Sequence, residues 1–562
     1  MQFELKENYY RNKSRIIMKT GAFFLFLLIQ LMLISCGTEP TPTYDLTTSV
    51  IGNGVINPSS GQYDAGESVT ISSTPDSGWV FSKWDGDITS NVSPETFTMD
   101  SDKSIIAIFE RKDYPLTITI EGEGTVTETI ISQSKATDYP YETIVELTAN
   151  PSDGWNFIEW SGDISGSTNS VQITINSNKN VTARFAKIYL NQNGVTIMCP
   201  NAQVGEKGFV DGVEYEVVDR DLLNHKRDAG LDLTKVCVSL VTDMSDLFSE
   251  SSFNQDIGNW DVSSVKSMSG MFYKSSFNQD IGNWDVSNVT SMYNMFSRTP
   301  FNQDIGGWDV SNVLDMGRMF WTWPSDPSVF NQDLGDWNVG NVVSMRGMFT
   351  NSGFNQDIGD WDVSSVVDMN SIFSNTPFNQ DIGNWNVSNV TSMSGMFSRT
   401  PFNQDIGDWD VSNVIEMSSM FSSTPFNQDI ASWQVGNVTK MNSMFSITPF
   451  NQNIGGWDVS SVTNMSSMFA SSSFNQDIGS WDVSNVTNMR AMFFRNTHFI
   501  QNIGGWDVGN VSDMSSMFAE SSFNQNLSGW CVNLIQNEPE NFSNEAPLEE
   551  SNKPKWGTCP SN

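Results

Sequence analysis

From Phe253 to Trp530 the apolar residues of this chain fall in a pattern that recurs every 24 residues. Each unit reads, with small departures, F-N-Q-D-I-G-x-W-D-V-S-N-V-x-x-M-x-x-M-F and then a few small residues. The leading Phe stands at Phe253, Phe277, Phe301, Phe330, Phe354, Phe378, Phe402, Phe426, Phe450, Phe474, Phe499 and Phe523. The period breaks twice, by five residues before Phe330 and by one before Phe499. Numbered from its Phe, a unit carries Ile or Leu, Trp, Val and Val at positions 5, 8, 10 and 13. The Trp-x-Val step has the period of a strand, with both side chains inward and position 9 outward. Ser-Asn at positions 11 and 12 suits a helix N-cap, and the apolar residues at 13, 16, 19 and 20 then make one stripe of a two-turn helix. Thr-Pro or Ser-Ser ends the unit. So small a unit cannot bury its own apolar face. The pattern therefore predicts a mixed α/β repeat solenoid over residues 251–530, with one short strand and one short helix per repeat.

Upstream the pattern changes to alternation. Gly-Trp79-Val-Phe81-Ser-Lys-Trp84-Asp-Gly-Asp87-Ile88 recurs 76 residues later as Gly-Trp155-Asn-Phe157-Ile-Glu-Trp160-Ser-Gly-Asp163-Ile164. Each copy opens on G-x-G (Gly52, Gly54; Gly122, Gly124) and closes on an alternating run ending at Phe109 or Phe185. Short strands with Gly, Asn and Asp turns predict two small all-β modules, at 46–111 and 112–187, with the W-x-F-x-x-W aromatics as core. Residues 188–250 read as an N-terminal cap, in which Val241 to Phe248 resembles the back half of a repeat without a front half. Residues 531–562 read as a C-terminal cap, in which the Met-x-x-Met-Phe half is lost. Open ends of a repeat array need polar covers.

The N-terminus carries an address. Met18-Lys19-Thr20 precedes an apolar run of about 13 residues from Ala22 to Ile34. That run is short of the ~20 residues a membrane span needs, so residues 1–35 read as a secretory signal, with Met18 the better start. The tetrad Leu33-Ile34-Ser35-Cys36 resembles a bacterial lipobox. That resemblance implies cleavage before Cys36, acylation of its thiol, and an exported lipoprotein held at the outer membrane or cell surface of a bacterium. Residues 36–45 are a Thr/Pro-rich spacer. Export suits the other four cysteines, which lie just outside the two ends of the array: Cys199 and Cys237, Cys531 and Cys559. Pairing across the array would bring distant ends together, so a local disulfide at each end is expected. No C-x-x-C spacing supports a metal site.

Charge narrows the partners. With 29 Lys+Arg against 65 Asp+Glu, the net charge is −36, which repels nucleic acid. Position 9 is Asp in eight repeats: Asp261, Asp285, Asp309, Asp362, Asp410, Asp458, Asp482 and Asp507. A strand-spaced carboxylate column repels itself and needs an offset. Turn hydrogen bonds to backbone N–H groups or solvation supply one reading; Ca²⁺, another cation or a basic ligand bridging neighbouring repeats supplies the other. Asn338, Asn386 and Gln434 interrupt the column, and no metal site is assigned. The insertion Trp321-Thr-Trp323-Pro places two extra aromatics on a surface loop, either as a contact site or as loop packing. The chain holds two histidines, His225 and His498, and no nucleophile–base, zinc or P-loop pattern. No catalytic residues and no cofactor are assigned.

The unit F-N-Q-D-I-x-x-W-D-V-S-N-V-T-x-M-x-x-M-F resembles the BspA-like leucine-rich-repeat family of bacterial surface lipoproteins over roughly Cys199 to Cys559. Its positions 5, 8, 10 and 13 match the L-x-x-L-x-L-x-x-N signature, with Val where Asn would stand. The two β-modules resemble the internalin-type B-repeat. These resemblances imply a non-catalytic, monomeric surface protein whose repeats present an extended face to a macromolecule or matrix, protein or glycan. A passive acidic coat or spacer is the second reading, and a glycan-active enzyme a remote third. A binder should vary at one exposed column; here Tyr273-Lys274, Arg298, Arg346, Arg399, Arg490 and Arg495 do vary.

Overall fold

The computed structural model describes residues 40–131, 138–325 and 328–560; the signal region and Cys36 lie outside them. The chain divides into two compact units. One holds the residues up to Pro115 with 132–143 and 174–178; the other holds 116–131, 144–173 and 179–562. The division runs through the second module, not between the modules.

The first unit contains β1 (Thr43–Ile51), β2 (Gly54–Asn57), β3 (Gly61–Asp64), β4 (Ser68–Pro75), β5 (Trp79–Gly86), β6 (Glu95–Thr98) and β7 (Lys103–Arg111). They form two sheets, ordered β3-β1-β7-β5 and β2-β4-β6. Between them lie Trp84, Ile71, Ile105 and Ala107, all fully buried. The Trp84 indole donates to the Val92 carbonyl at 2.9 Å and its ring tilts against Phe81 at 5.0 Å. In G-x-G, a Cβ at Gly54 would enter the Phe109 ring, which is why that position holds no side chain. In the second module, which the division cuts, β8 (Asp113–Glu121), β9 (Gly124–Ile130), β11 (Thr143–Pro151), β12 (Asn156–Gly162) and β14 (Lys179–Ala186) repeat the scheme, with β13 (Ser170–Ile175) and with β10 (Asp138–Pro140), whose residues count with the first unit. Trp160, 1% exposed, donates to the Thr168 carbonyl at 2.9 Å. In both modules the last Trp of the aromatic signature is core, while Trp79, Phe81, Trp155 and Phe157 are half-buried.

The repeats depart from expectation. They contain no helix and no strand beyond isolated parallel bridges, among the described residues. Among the described residues the one α-helix, α1 (Arg220–Asp228), belongs to the leader, and a 3₁₀ turn at Glu550–Asn552 to the tail. The mixed α/β, leucine-rich-repeat-like solenoid is thus overturned: the protein is built of small separate β-sheets and a stack of turns. The reason lies in the Met-x-x-Met-Phe segment. Position 18 takes positive φ in all but the last repeat, including Asn294, Arg318, Ser371, Ser443 and Ala491, and position 22 does so at Lys274, Arg298, Asn375, Arg399 and Arg495. A left-handed residue every fourth position forbids an α-helix. Instead Met271 N–H donates to the Met268 carbonyl at 3.1 Å, closing a turn whose third residue is left-handed. The intervening N–H groups point to the next repeat: Met268 to Ser291 (3.0 Å), Gly270 to Tyr293 (2.7 Å), Phe272 to Met295 (3.0 Å) and Lys274 to Ser297 (2.9 Å).

This bonding recurs through the stack and joins each repeat to the next. Position 15 of each repeat bridges position 15 of its neighbour, from Asp243↔Ser267 to Asn488↔Asp513. The insertion leaves this ladder intact, since Asp315 still bridges Ser344. Inside, rings run in columns: Phe397 lies 3.8 Å from Phe402 and 5.8 Å from Phe421, and Phe402 lies 6.3 Å from Phe426. All twelve Trp at position 8 are at most 4% exposed. Each donates its indole N–H at 3.0–3.2 Å to a carbonyl one repeat back, at position 5.

Position 22 offers a test of the turn geometry. Ile447 is β-branched, 59% exposed and held at φ 57°. The left-handed region costs such a residue about 1–2 kcal/mol. Ile447→Gly is expected to raise the unfolding free energy by about 1 kcal/mol in urea titrations; a loss of stability would exclude the left-handed turn.

The ends of the stack are more repeat-like than the sequence suggests. The leader has a front half after all: Leu233, Val236, Val238 and Val241 are buried where positions 5, 8, 10 and 13 fall, and Leu233 accepts the Trp260 indole N–H. Beyond Trp530, Glu540 and Phe542 still accept from Ser516 and Phe518, and Leu548 is buried in the slot of the next leading Phe. Both Cys237 and Cys531 occupy position 9 of an end unit, each disulfide-bonded within its cap, to Cys199 and Cys559. At the first unit, the carbonyls of Asp243, Ser245 and Leu247 have no preceding repeat. Two arginines of α1 serve them: Arg220 donates to Asp243 at 2.8 Å and Ser245 at 2.7 Å, and Arg227 to Leu247 at 2.6 Å.

Candidate functional site

The position-9 aspartates turn outward except Asp261, which is buried. Each accepts a backbone N–H from two residues on at 3.0–3.1 Å, an Asx turn: Ser263, Ser287, Ser311, Ser364, Ser412, Ser460, Ser484 and Gly509 are the donors. Position 4 does the same, as in Gly258 N–H to Asp256 at 3.1 Å. The column is therefore a row of turn acceptors. Asn386 fills the same role, accepting from Ser388 at 3.2 Å. Among the described residues no group of three or more His, Cys, Asp or Glu is placed to hold a metal ion.

These bonds set a pH response. The hydroxyl and N–H of the serine two residues on hold the carboxyls of Asp309, Asp362, Asp410, Asp458 and Asp482 below their ordinary value; for Asp458 the Asp482 charge opposes this. A carboxyl depressed in the folded state contributes stability above its unfolded pKa of about 3.9, and that contribution is lost as pH falls through the lower folded value. Melting temperature should hold to about pH 5 and drop below about pH 4. Asn at all five positions keeps the turn acceptor and should flatten that drop; an unchanged acid profile would refute the assignment.

The insertion builds a different surface. Trp321 and Trp323 meet edge to face, centroids 4.8 Å apart, and Trp323 is 49% exposed. The Arg298 guanidinium lies over Trp323 at 5.8 Å, and that of Arg318 over Trp321 at 5.7 Å. Of the other cations at varying positions, Lys274 pairs with Glu250 at 2.7 Å, Arg495 with Glu520 at 2.7 Å and Arg346 with Asp368 at 4.0 Å, whereas Arg399 and Arg490 have no carboxylate within ion-pair distance among the described residues. Neither Arg298 nor Arg318 has a carboxylate within ion-pair distance among the described residues, and Arg298 Nε is buried without a hydrogen-bond partner. The sequence marked both tryptophans but not Arg318. Its signal was present, because turn stacking brings position 18 beside position 21 of the same repeat.

A second surface went unread in the sequence. Positions 12 and 14 of four successive repeats line a groove of about 860 Å³, between Ser365, Asn389, Asn413 and Asn437 and Val367, Thr391, Ile415 and Thr439. The position-14 column continues as exposed Leu314 and Val343. The helix expectation hid it, since on a helix positions 12 and 14 do not face together.

A stack of 24-residue turn units behind two small β-modules, with exposed columns that vary between copies, defines a tandem-repeat protein with an extended lateral surface. The chain belongs to the family described as Mycoplasma protein of unknown function, DUF285, whose profile matches residues 221–326, 280–385, 323–425, 351–449, 376–473 and 447–556. Residues 44–113 and 114–189 match the divergent InlB B-repeat domain. Both the repeat family and the B-repeat modules read from the sequence are thus found. No curated protein and no solved structure matches the chain.

Proposed function

We propose that this is a non-catalytic surface protein, exported, anchored through lipid on Cys36, and binding a macromolecular or matrix ligand along its repeats. The observation that carries the reading is the contrast between columns. Inward positions and turn acceptors repeat nearly unchanged, whereas positions 14, 17, 21 and 22 vary, leaving Leu314 and Ile415 exposed and Tyr273 and Arg298 part-exposed, and the insertion exposes Trp323. Many weak contacts on repeated sites give avidity without a deep pocket. The matched families are consistent with such a role, and the two β-modules then serve as a stalk. Attachment through Cys36 is supported by the Leu33-Ile34-Ser35-Cys36 tetrad; no helix of the described residues is long and apolar enough to cross a membrane. The tests are incorporation of labelled palmitate, abolished by Cys36→Ser, and binding of residues 37–562 to glycan and matrix-protein arrays. Silence on every array would favour the passive coat.

A further inference from the structure

We propose that Trp321, Trp323, Arg298 and Arg318 form a binding platform for a carboxylate-bearing sugar. The inference rests on the surface-binding reading and names its ligand chemistry. The Arg298 and Arg318 guanidinium carbons lie 5.8 and 5.7 Å from the indole centroids, which sets two planar fork donors, of the kind that take a carboxylate as a bidentate pair, beside the two tryptophans. In a chain of net charge −36, Arg298, Arg318, Arg399 and Arg490 have no carboxylate within ion-pair distance among the described residues, and of these four Arg298 and Arg318 are the ones that lie over indole rings. The exposed Trp323 indole adds a flat apolar face of the kind that stacks on the C–H face of a pyranose.

Other occupants fit less well. A peptide adding along the backbone finds its donors taken: Arg298 N–H donates to the Trp321 carbonyl at 2.9 Å and Trp321 N–H to Arg318 at 3.1 Å. A long polyanion feels the acidic remainder of the molecule, whereas a single carboxylate at the platform is shielded from charges beyond the Debye length of about 8–10 Å. The ligand chemistry is therefore one acidic sugar in a short or sparsely charged glycan.

Titration calorimetry of residues 37–562 with sialyllactose and trigalacturonate, and with lactose as neutral control, tests this. The acidic sugars are expected to bind at least about tenfold tighter than lactose, weakening with salt. Trp323→Ala and Arg298→Gln should each lower that affinity about tenfold, with melting curves confirming the fold. Equal affinity for lactose, no acidic-sugar binding, or binding insensitive to both substitutions would overturn the platform. So would a preference for hexaglutamate. If arrays bind wild type and both variants alike, the platform falls while the surface-binding reading stands; if they bind neither, both fall.

Discussion

Trp409→Ala is expected to lower the unfolding free energy by about 3–5 kcal/mol, the cost of truncating a buried aromatic without refilling its space. Trp409 is 3% exposed, packs at 6.3 Å against Phe397, and donates its indole N–H to the Ile382 carbonyl at 3.2 Å. Its loss opens a cavity and strips a buried acceptor in the preceding repeat. Urea titrations of wild type and variant measure it, with Trp323→Ala as contrast. That indole is half exposed, and its removal should change stability by no more than about 0.5 kcal/mol. Similar losses for both would mean that the position-8 indoles are not interior.

Arg220→Met is expected to cost about 2–4 kcal/mol, because a charged side chain donates to two carbonyls that the stack itself cannot serve. Met keeps the apolar stem, so the loss reports the guanidinium. The leader should loosen first, raising amide exchange at Met244 and Leu247 before the central repeats. Uniform exchange along the chain, or a neutral substitution, would show that α1 does not close the first unit.

Much of this architecture is legible in the sequence, and particular residues show where legibility stops. The inward set of Ile, Trp, Val, Met and Phe was right at every position, since burial depends on spacing along the unit and not on the local conformation. The helix was wrong for the same reason. Met268, Met271 and Phe272 fall on one side of a helix, but equally on one side of successive turns. What decides between them is the left-handed backbone at position 18, and residues such as Ser419 and Ala491 give no warning of it. The Asp column gave its chemistry but not its use, because Asp-x-Ser reads alike as an Asx turn and as an exposed carboxylate row. The leader's front half was missed where Val236 replaces Trp and Cys237 replaces Asp. Arg318 stands three residues before Trp321, a spacing that makes neighbours on a helix as well as in this turn, and the pairing was left unread all the same.

The central claim is that a 24-residue unit bonds in register to its neighbours, with forward N–H groups and backward indoles meeting the same partners in every copy. Removing residues 402–425 deletes one whole unit and rejoins equivalent positions; removing 402–413 deletes half a unit and breaks the register. Thermal melts of the two shortened proteins test the claim directly. The whole-unit deletion should keep a single cooperative transition near that of the parent, and the half-unit deletion should lose it. Comparable melting of the two would contradict the account.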